Sequence, residues 1–465
     1  MSSDEMCPEC NQKLDKYSPW CKPCNSKHFQ NDFNKWTSGN DKIDRFIQDA
    51  QLNANHGWDV IEWIPYERFK DVKQIGKGGF GTIHYARWID GLINRRDYEN
   101  QQWERYFDIE VALKKFDCFV NFNDVLNEME IHLKTWTKYN YTTIRFYGIT
   151  QDPETHSYMM VLYYAADGNL REYLKNNFNN VNWKQKLSNL YFLSYKLMHI
   201  HELDIVHRDF HPGNILSYNF KHPSYMQISD FGFSKLIGAN LNNPEEKNIV
   251  GVLPYIAPEV LSGNSEYTKA ADIYSFGIIA YEIITGFPPY PDIPHDNDLA
   301  LKICNGLRPK ISFRTPKLIT RMIMRCWDAR VKHRPTFEEL FDELLKYWKD
   351  YYKYLEDRKN KDSEIVIQIK KAEKFSANQN ESIWKNISHI FYWKKESTNK
   401  KNSETAITTL NYQTHPQAIY TSRLLNFSKL PKPKNGENFE KELEELTKST
   451  SVSSAVASKL YVPDF

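Results

Sequence analysis

The sequence lacks a long apolar run and carries almost no net charge. Its most apolar segment, Ile273–Thr285, is too short to span a bilayer and is interrupted by Ser275 and Glu282. No apolar stretch follows the first residues, so we expect neither a secretory signal nor a membrane anchor. A formal net charge of +2 over 465 residues gives no basis for binding nucleic acid or a membrane surface. We therefore expect a cytoplasmic protein, with a nuclear location left open.

Cysteine is also scarce, and four of the seven cysteines fall within residues 1–26. Cys7, Cys10, Cys21 and Cys24 form two CxxC pairs separated by ten residues, a spacing that presents four thiolates to one Zn²⁺ ion. A redox pair is the alternative, but disulfides are disfavoured inside cells. Structural zinc contributes roughly 10–16 kcal/mol in small fingers, against about 3 kcal/mol for one loop-closing disulfide. The pattern therefore predicts a closed structural zinc site without a catalytic role.

Composition and motifs divide the chain into four parts. We predict a four-cysteine zinc knuckle at 1–26, a helical linker at 27–64, a catalytic domain at 65–350 and a C-terminal tail at 351–465. The tail is rich in Lys, Asn, Ser and Glu, which predicts disorder, above all in Ser449–Ser458. Two stretches of the tail favour short helices, Asp362–Lys374 and Phe439–Lys448. Between them, Pro431–Gly436 has the composition of a linker.

Within 65–350 the hydrophobic periodicity changes from strand-like to helix-like. One helix, at about Asn123–Thr137, interrupts the strands, and Ile89–Asp108 is predicted as an exposed loop. The predicted strands are Phe69–Ile75, Thr82–Trp88, Ile109–Phe116, Ile144–Thr150 and Tyr158–Tyr164. The predicted helices are 170–177, 183–202, 270–285, 297–305, 316–327 and 336–348. This order predicts an α+β fold with a β-rich lobe, a helical lobe and a cleft between them.

Two neighbouring motifs carry the clearest chemistry. His207–Asn214 has the sequence HRDFHPGN, and Asp230 begins a DFG triplet sixteen residues after Asn214. Phosphoryl transfer from a metal-bound nucleotide needs a base that orients the attacking hydroxyl and oxygen ligands for Mg²⁺. We assign the first role to Asp209 and the second to Asn214 and Asp230, whereas His207 and Phe231 are expected to pack. Either motif alone is weak evidence, but the two in this order are specific.

A glycine-rich segment and a lysine complete the predicted nucleotide site. The sequence GKGGFGTI at 76–83 leads into a strand, whereas the glycines of a dinucleotide site lead into a helix. Its predicted nucleotide contacts are Gly76, Lys77, Gly78, Gly79, Phe80, Gly81 and Ile83, with backbone amides that can approach the phosphates. Ala112 and Lys114 share one face of the next strand, where Ala112 can cover the adenine and Lys114 can reach the phosphates. A buried lysine needs a carboxylate, and Glu128 is preferred to Glu130, which lies about 200° around the helix.

These motifs together resemble a eukaryotic protein kinase domain over residues 65–350. Cys326-Trp327 and Arg334–Phe337 are similar to the tyrosine-kinase-like and tyrosine-kinase branches. Trp36–Asn40 and His415–Arg423 are similar to segments of a kinase family expanded in mycorrhizal fungi. The resemblance implies ATP and Mg²⁺ as cofactors, a protein substrate and a place in intracellular signalling. It also implies nucleotide contacts from further residues, namely Leu162, Tyr164 and Leu216.

The large lobe should be held by a buried ion pair. Glu259 closes the APE motif of the activation segment, and Arg334 is its expected partner.

Two positions depart from the serine/threonine kinase pattern. His211 stands where that pattern has Lys, and Val252 stands where it has Thr. In the family this Lys and Thr cooperate with the catalytic Asp, and here both are absent together. Tyr255–Glu259 nevertheless keeps the serine/threonine-like form. Serine/threonine specificity is therefore preferred, with tyrosine or dual specificity still open.

The activation segment has few phosphate acceptors. Between Gly232 and Ala257 only Ser234 and Tyr255 carry hydroxyls. We expect Arg208 to be paired by Glu245 or Glu246, and activity without phosphorylation of this loop.

Two functions from different classes remain. The first is an active ATP-dependent protein kinase, and the second is a pseudokinase that binds nucleotide and acts as a scaffold, with the zinc knuckle or the tail as candidate surfaces for a protein partner. The enzyme is favoured because the chain keeps Lys114, Asp209 and Asp230. A nucleic-acid binder lacks support, since residues 1–26 form no basic aromatic surface.

Overall fold

The structure of the chain is a computed structural model. It describes residues 6–14, 20–78, 81–116, 122–139, 142–232, 234–236, 249–263, 267–375, 414–427 and 429–447.

A six-stranded sheet forms the small lobe. Its strand order is β1-β7-β8-β6-β3-β2, antiparallel except for the parallel pair β1 and β7. The strands are β1 Glu62–Trp63, β2 Phe69–Gly78, β3 Gly81–Trp88, β6 Ile109–Phe116, β7 Phe146–Gln151 and β8 Tyr158–Tyr163. Helix α3, Phe122–Tyr139, covers one face of the sheet. The five predicted strands and the predicted helix are confirmed, and the short β1 was not predicted.

The segment Ile89–Asp108, predicted as an exposed loop, is instead a β-hairpin. Strands β4 (Leu92–Asp97) and β5 (Gln102–Tyr106) pair antiparallel. Most of their side chains are charged or polar, so the sequence shows no apolar alternation. Two side chains nevertheless face the protein: Ile93 is 2% exposed, and the Trp103 ring stacks on that of Phe29 at 4.5 Å between centroids. The loop prediction was wrong because an inserted hairpin can be held by a few isolated apolar contacts, which leave no regular pattern in the sequence.

The segment at 27–64, predicted as a helical linker, is part of the small lobe. It holds most of helix α1 (Lys22–Asp32) and all of helix α2 (Asp41–Asn53). Ile43 and Ile47 of α2 are fully buried and share a hydrophobic cluster with Val125 and Met129 of α3. Helix α2 therefore supports the helix that carries Glu128.

The large lobe is helical, as predicted. Its helices are α4 Leu170–Asn177, α5 Trp183–Glu202, α6 Pro258–Leu261, α7 Lys269–Thr285, α8 Asn297–Cys304, α9 Lys317–Cys326 and α10 Phe337–Asp357. Its short strands are β9 Ile205–Val206, β10 Ile215–Leu216, β11 Gln227–Ile228, β12 Lys235–Leu236 and β13 Ile249–Gly251. Helix α7 runs through the core, and nearly all of its side chains are buried. The predicted buried ion pair is confirmed, since both Arg334 terminal nitrogens donate to the Glu259 carboxylate at 2.7 Å.

The described parts of the tail lie on the large lobe. Helix α11 (residues 364–375) follows α10, and Ile365, Val366 and Ile369 join the large-lobe core. Strand β14 (Arg423–Leu425) pairs antiparallel with β13, and helix α12 (Phe439–Thr447) packs on α9. Both predicted tail helices are thus confirmed.

The predicted linker Pro431–Gly436 is docked on the large lobe. The Ala329 backbone N–H donates to the Asn435 side chain at 2.7 Å, and the Lys434 N–H donates to the Cys304 carbonyl at 3.0 Å. Ser449–Ser458, where disorder was predicted, lies outside the described residues.

Candidate active site

Lys114 lies at the centre of the cleft between two carboxylates. Its Nζ is 2.6 Å from Glu128 Oε1 on α3 and 2.9 Å from Asp230 Oδ1 on the large lobe. Burial alone would lower the pKa of Lys114, but the charges of Asp230 and Glu128 raise it above its ordinary value, so the ammonium stays charged. Burial would raise the pKa of Asp230, and Lys114 outweighs that effect and lowers it. The sheet, α3 and the DFG segment therefore meet at one ion-pair network.

Glu128 and Glu130 lie on different faces of helix α3 and differ in burial. Glu128 is 1% exposed, whereas Glu130 points away and pairs with Lys134 at 2.6 Å on the surface.

Asp272 of helix α7 fixes the backbone of the loop that carries Asp209. Its carboxylate accepts hydrogen bonds from the backbone N–H groups of His207 at 2.8 Å and Arg208 at 3.1 Å. Arg208 and Asp230 both have positive φ, 70° and 63°, an uncommon conformation for residues other than glycine. Such backbone outliers persist only where the surroundings over-determine them, and they cluster at functional sites.

Asp209 and Asn214 are joined by a hydrogen bond within the catalytic loop. Asp209 is 4% exposed and Asn214 is 8% exposed, and the Asn214 Nδ2 group donates to the Asp209 carbonyl at 2.9 Å. This bond orients the amide and leaves Oδ1 as the side-chain atom that can ligate a cation.

His207 and Phe231 pack against each other next to the predicted catalytic residues Asp209 and Asp230. Both are fully buried, with ring centroids 4.8 Å apart, and His207 Nε2 bonds to the Ser229 carbonyl at 3.0 Å. Burial lowers the pKa of His207, so the ring is neutral and the Nε2–H donates.

The glycine-rich segment forms the turn between β2 and β3, where Gly78 pairs with Gly81. Gly79 and Phe80 lie outside the described residues. Gly76 and Lys77 pair with Ile83 and Thr82, and Ile83 pairs in turn with Lys114 on β6.

The predicted adenine contacts lie along the adjoining sheet. Ala112, Leu162 and Leu216 belong to one hydrophobic cluster, and the Tyr164 ring meets the Tyr85 ring edge-on at 5.0 Å. The structure thus brings the described members of the predicted nucleotide site to one side of the cleft.

One contact of the candidate site was missed by sequence reasoning. Ser422, more than two hundred residues away in the tail, donates its hydroxyl to Asp209 Oδ2 at 2.5 Å. His211 Nε2 lies 3.0 Å from the same Ser422 Oγ. The only sequence signal was the motif around 415–423, which carried no indication of where it docks.

The hydroxyls of the activation segment are internal. Ser234 is 1% exposed and donates to the His207 carbonyl at 3.0 Å, and Tyr255 is 2% exposed and donates to the Glu282 carboxylate. Glu245 and Glu246, the expected partners of Arg208, lie outside the described residues.

The four N-terminal cysteines come together. Their sulfurs all lie within 4.8 Å of one another, with Cys7 and Cys24 at 3.7 Å and Cys10 and Cys21 at 3.5 Å. A tetrahedral ion with Zn–S bonds of about 2.3 Å would separate its sulfurs by about 3.8 Å, so the cluster has the size of a zinc site.

The surroundings of the thiols differ. Burial raises the pKa of Cys21 to about 11, whereas at Cys7 the backbone hydrogen bonds of Cys10 and Glu9 outweigh burial and lower the pKa to about 7. A bound cation would favour the thiolate at all four positions.

The two-lobed fold, the lysine–carboxylate network and the paired Asp and Asn loops define the protein-kinase class. The chain belongs to the protein tyrosine and serine/threonine kinase family, whose family model matches residues 69–344.

Curated relatives come from both halves of this family. The chain is 28% identical to Tyrosine-protein kinase SPK-1 of Girardia tigrina over 292 residues, which cover 60% of this chain and 53% of the relative. It is 26% identical to Probable serine/threonine-protein kinase pats1 of Dictyostelium discoideum over 293 residues, covering 61% of this chain and 8% of the relative. The chain therefore spans less than two thirds of the length of each. Among the helices of the described ranges, none is long and apolar enough to cross a membrane.

Proposed function

We propose that the chain is an active ATP-dependent protein kinase. The observation that carries the proposal is the position of Lys114 between Glu128 and Asp230, at 2.6 and 2.9 Å, because it joins both lobes around one charged network. A domain that only kept the fold would have no need for two carboxylates around this lysine, one of them fully buried, since buried charges without a partner are costly.

Each residue then has a distinct task. Asp209 accepts a hydrogen bond from the acceptor hydroxyl and orients it, and Asn214 and Asp230 would hold Mg²⁺ through side-chain oxygens. Lys114 binds the phosphates of ATP, and Glu128 positions Lys114. The magnesium–nucleotide complex supplies the γ-phosphoryl group with its negative charge partly neutralised.

We infer that the acceptor is serine or threonine. The backbone of β14 is held next to the catalytic loop by its pairing with β13, and at that separation the short Ser422 side chain reaches Asp209. A tyrosine hydroxyl lies roughly 4 Å further from its Cα than a serine hydroxyl, so a tyrosine on the same backbone path would overshoot Asp209. Val252, which stands where the serine/threonine kinase pattern has Thr, is buried.

We also propose two finer assignments, one of the kinase branch and one of a metal ion. We place the domain near the tyrosine-kinase-like branch, on Cys326-Trp327 and the Arg334–Phe337 stretch. We also assign one structural zinc ion to Cys7, Cys10, Cys21 and Cys24, supported by the sulfur separations.

The test is labelled-phosphate transfer from MgATP, with total incorporation into the chain and into an added protein acceptor measured together. Wild type should incorporate label, and Asp209→Asn should lose about 10²–10⁴-fold of the rate. Asp230→Asn should lose activity as well, together with its response to the Mg²⁺ concentration. Equal incorporation by all three proteins contradicts the proposal, and nucleotide binding without transfer by wild type would favour the pseudokinase.

A further inference from the structure

The tail presents a serine hydroxyl to the residue that we assign as the catalytic base. Ser422 Oγ lies 2.5 Å from Asp209 Oδ2, where an acceptor hydroxyl must sit before phosphoryl transfer. Asp209 and Ser422 are 213 residues apart in the sequence, so the contact is tertiary.

His211 completes a directed chain of hydrogen bonds. The Gly213 backbone N–H donates to His211 Nδ1 at 3.0 Å, so in the neutral ring the proton lies on Nε2. That Nε2–H donates to Ser422 Oγ at 3.0 Å, and the Ser422 hydroxyl donates to Asp209. Gly213 is required here, because a Cβ at that position would lie 2.7 Å from the His211 ring. His211, which stands where the serine/threonine kinase pattern has Lys, thus donates a hydrogen bond to the Ser422 oxygen whose own proton is directed at Asp209.

The backbone around Ser422 is bound as an added strand. Arg423, Leu424 and Leu425 pair with Gly251, Val250 and Ile249 of the activation segment. Strand addition of this kind takes its affinity from main-chain hydrogen bonds and its specificity from pockets for alternate side chains. Leu425 is 6% exposed and joins the large-lobe core, whereas Leu424 is 59% exposed.

Residues on the N-terminal side of Ser422 fill further sites on the large lobe. The Tyr420 hydroxyl donates to the Pro289 carbonyl at 2.8 Å, and Arg171 donates to the Tyr420 carbonyl at 2.7 Å. His295 bonds through Nδ1 to the Ile419 carbonyl at 2.9 Å. The lobe therefore contacts the segment on both sides of Ser422, as it would contact a substrate peptide.

The C-terminal side of the segment is anchored on the same lobe. Asn435 Nδ2 donates to Asp328 Oδ1 at 2.8 Å, and Glu440 of α12 pairs with Arg330 at 3.0 Å. With contacts on both sides, Ser422 is presented by the chain's own tail to its own active site.

We propose that Ser422 is the enzyme's intramolecular phosphate acceptor and that the segment 414–427 occupies the peptide groove until it is phosphorylated. This rests on the proposed kinase function. In the reaction the bond between the γ-phosphorus and the β,γ-bridging oxygen of ATP breaks and the Ser422 Oγ–P bond forms. The hydroxyl proton passes to Asp209, and the products are phosphoserine and ADP.

Phosphorylation of Ser422 destabilises the binding of the segment 414–427 in the groove. Phosphoserine brings close to two negative charges beside the Asp209 carboxylate, in a site that holds the neutral hydroxyl at 2.5 Å. Like-charge repulsion at this distance releases the segment and opens the groove to other substrates. The tail is thus a substrate of the kinase and also controls the access of other substrates to the groove.

The first experiment maps phosphate on the purified full chain after incubation with MgATP. Phosphate should appear on Ser422 in wild type and in Thr421→Ala, which alters the neighbouring exposed hydroxyl, and be absent from Asp209→Asn. An intramolecular reaction is independent of enzyme concentration, so the fraction of Ser422 modified per minute should be unchanged over a tenfold dilution. A rate that falls in proportion to dilution overturns the intramolecular assignment.

The second experiment loosens the segment without touching the catalytic loop. Leu425→Ala should slow Ser422 phosphorylation ~10-fold through lost anchoring and raise early transfer to a synthetic peptide of residues 414–427. Leu424→Ala is the matched control and should change neither rate. If Leu425→Ala changes the rate of Ser422 phosphorylation and the rate of transfer to the peptide in the same direction, the segment does not occupy the groove.

The two claims fail differently. Transfer to the peptide with Ser422 of the chain unmodified overturns this inference and leaves the kinase function standing. No transfer to the peptide, to the chain or to an added protein ends the kinase function itself.

Discussion

At the scale of single residues, the candidate active site depends on how the buried charge of Lys114 is paired. Lys114 is 9% exposed, and a lysine in such a place is tolerated because two carboxylates surround it. The two carboxylates come from different lobes, so the same ion pairs that keep the lysine charged also fix where its ammonium lies. Position matters here because a displacement of about 1 Å at a reacting group can cost about 10²-fold in rate.

Glu128→Gln tests this dual role. The substitution keeps the shape and removes one charge, so Lys114 should shift toward Asp230, and kcat with saturating MgATP should fall by about 10²-fold. Glu130→Gln is the control, because Glu130 is two residues on, at the surface, and paired with Lys134. Equal losses in the two variants would mean that the Lys114–Glu128 contact does not position the nucleotide.

At the scale of elements, the N-terminal segment that carries the four-cysteine cluster and the inserted hairpin form one unit. The Trp103 ring of β5 stacks on Phe29 of α1 at 4.5 Å and on Trp20 at 5.8 Å, and the Trp20 Nε1–H donates to the Ala54 carbonyl. Neither piece has a large core of its own, so each supplies the apolar surface that the other needs. This shared packing gives the insertion at 89–108 a structural role.

Trp103→Ala should therefore weaken metal retention without removing a ligand. Each aromatic pair is worth about 0.5–1.5 kcal/mol beyond its buried area, so losing two should speed zinc release to a chelator by roughly 10-fold or more. Phe107→Ala is the matched control, because Phe107 is 70% exposed just beyond the same strand. Wild type should carry one zinc per chain by elemental analysis. Release at the wild-type rate from Trp103→Ala would contradict the coupling.

Secondary-structure elements with regular apolar periodicity could be predicted from the sequence, whereas the inserted hairpin could not. Strands such as Ile109–Phe116 and helices such as 183–202 were found because their apolar periodicity is set by local burial. The hairpin at 92–106 was missed because its outward face is charged and its inward face contributes only isolated apolar side chains. In the site, Lys114, Asp209 and Asp230 come from motifs with fixed spacing, whereas the Ser422 contact depends on docking across 213 residues. No local pattern encodes such a contact.

At the scale of the whole molecule, segments outside the matched region 69–344 buttress both lobes. Helix α2 packs against α3 on the small lobe, and α11, β14 and α12 cover the large lobe. The large lobe must therefore hold its shape while the tail docks and, in our proposal, leaves. Arg334 and Glu259 join the end of the activation segment to the segment before α10, and Arg334 also donates to the carbonyls of Asp328 and Ala270 at 2.8 Å.

Arg334→Met tests whether this pair holds the lobe. The variant leaves Glu259, 5% exposed, as a buried charge without its partner, which should lower the free energy of unfolding by about 3–5 kcal/mol in urea denaturation. The double variant Arg334→Met, Glu259→Gln removes the orphan charge and should recover part of that loss. Arg325→Met, which breaks a partly exposed pair with Glu343, should cost only about 0–1 kcal/mol. A loss at Arg334 no larger than at Arg325 would show that the buried pair contributes no more than a surface one, and the stability of the lobe would then rest on the apolar core around α7.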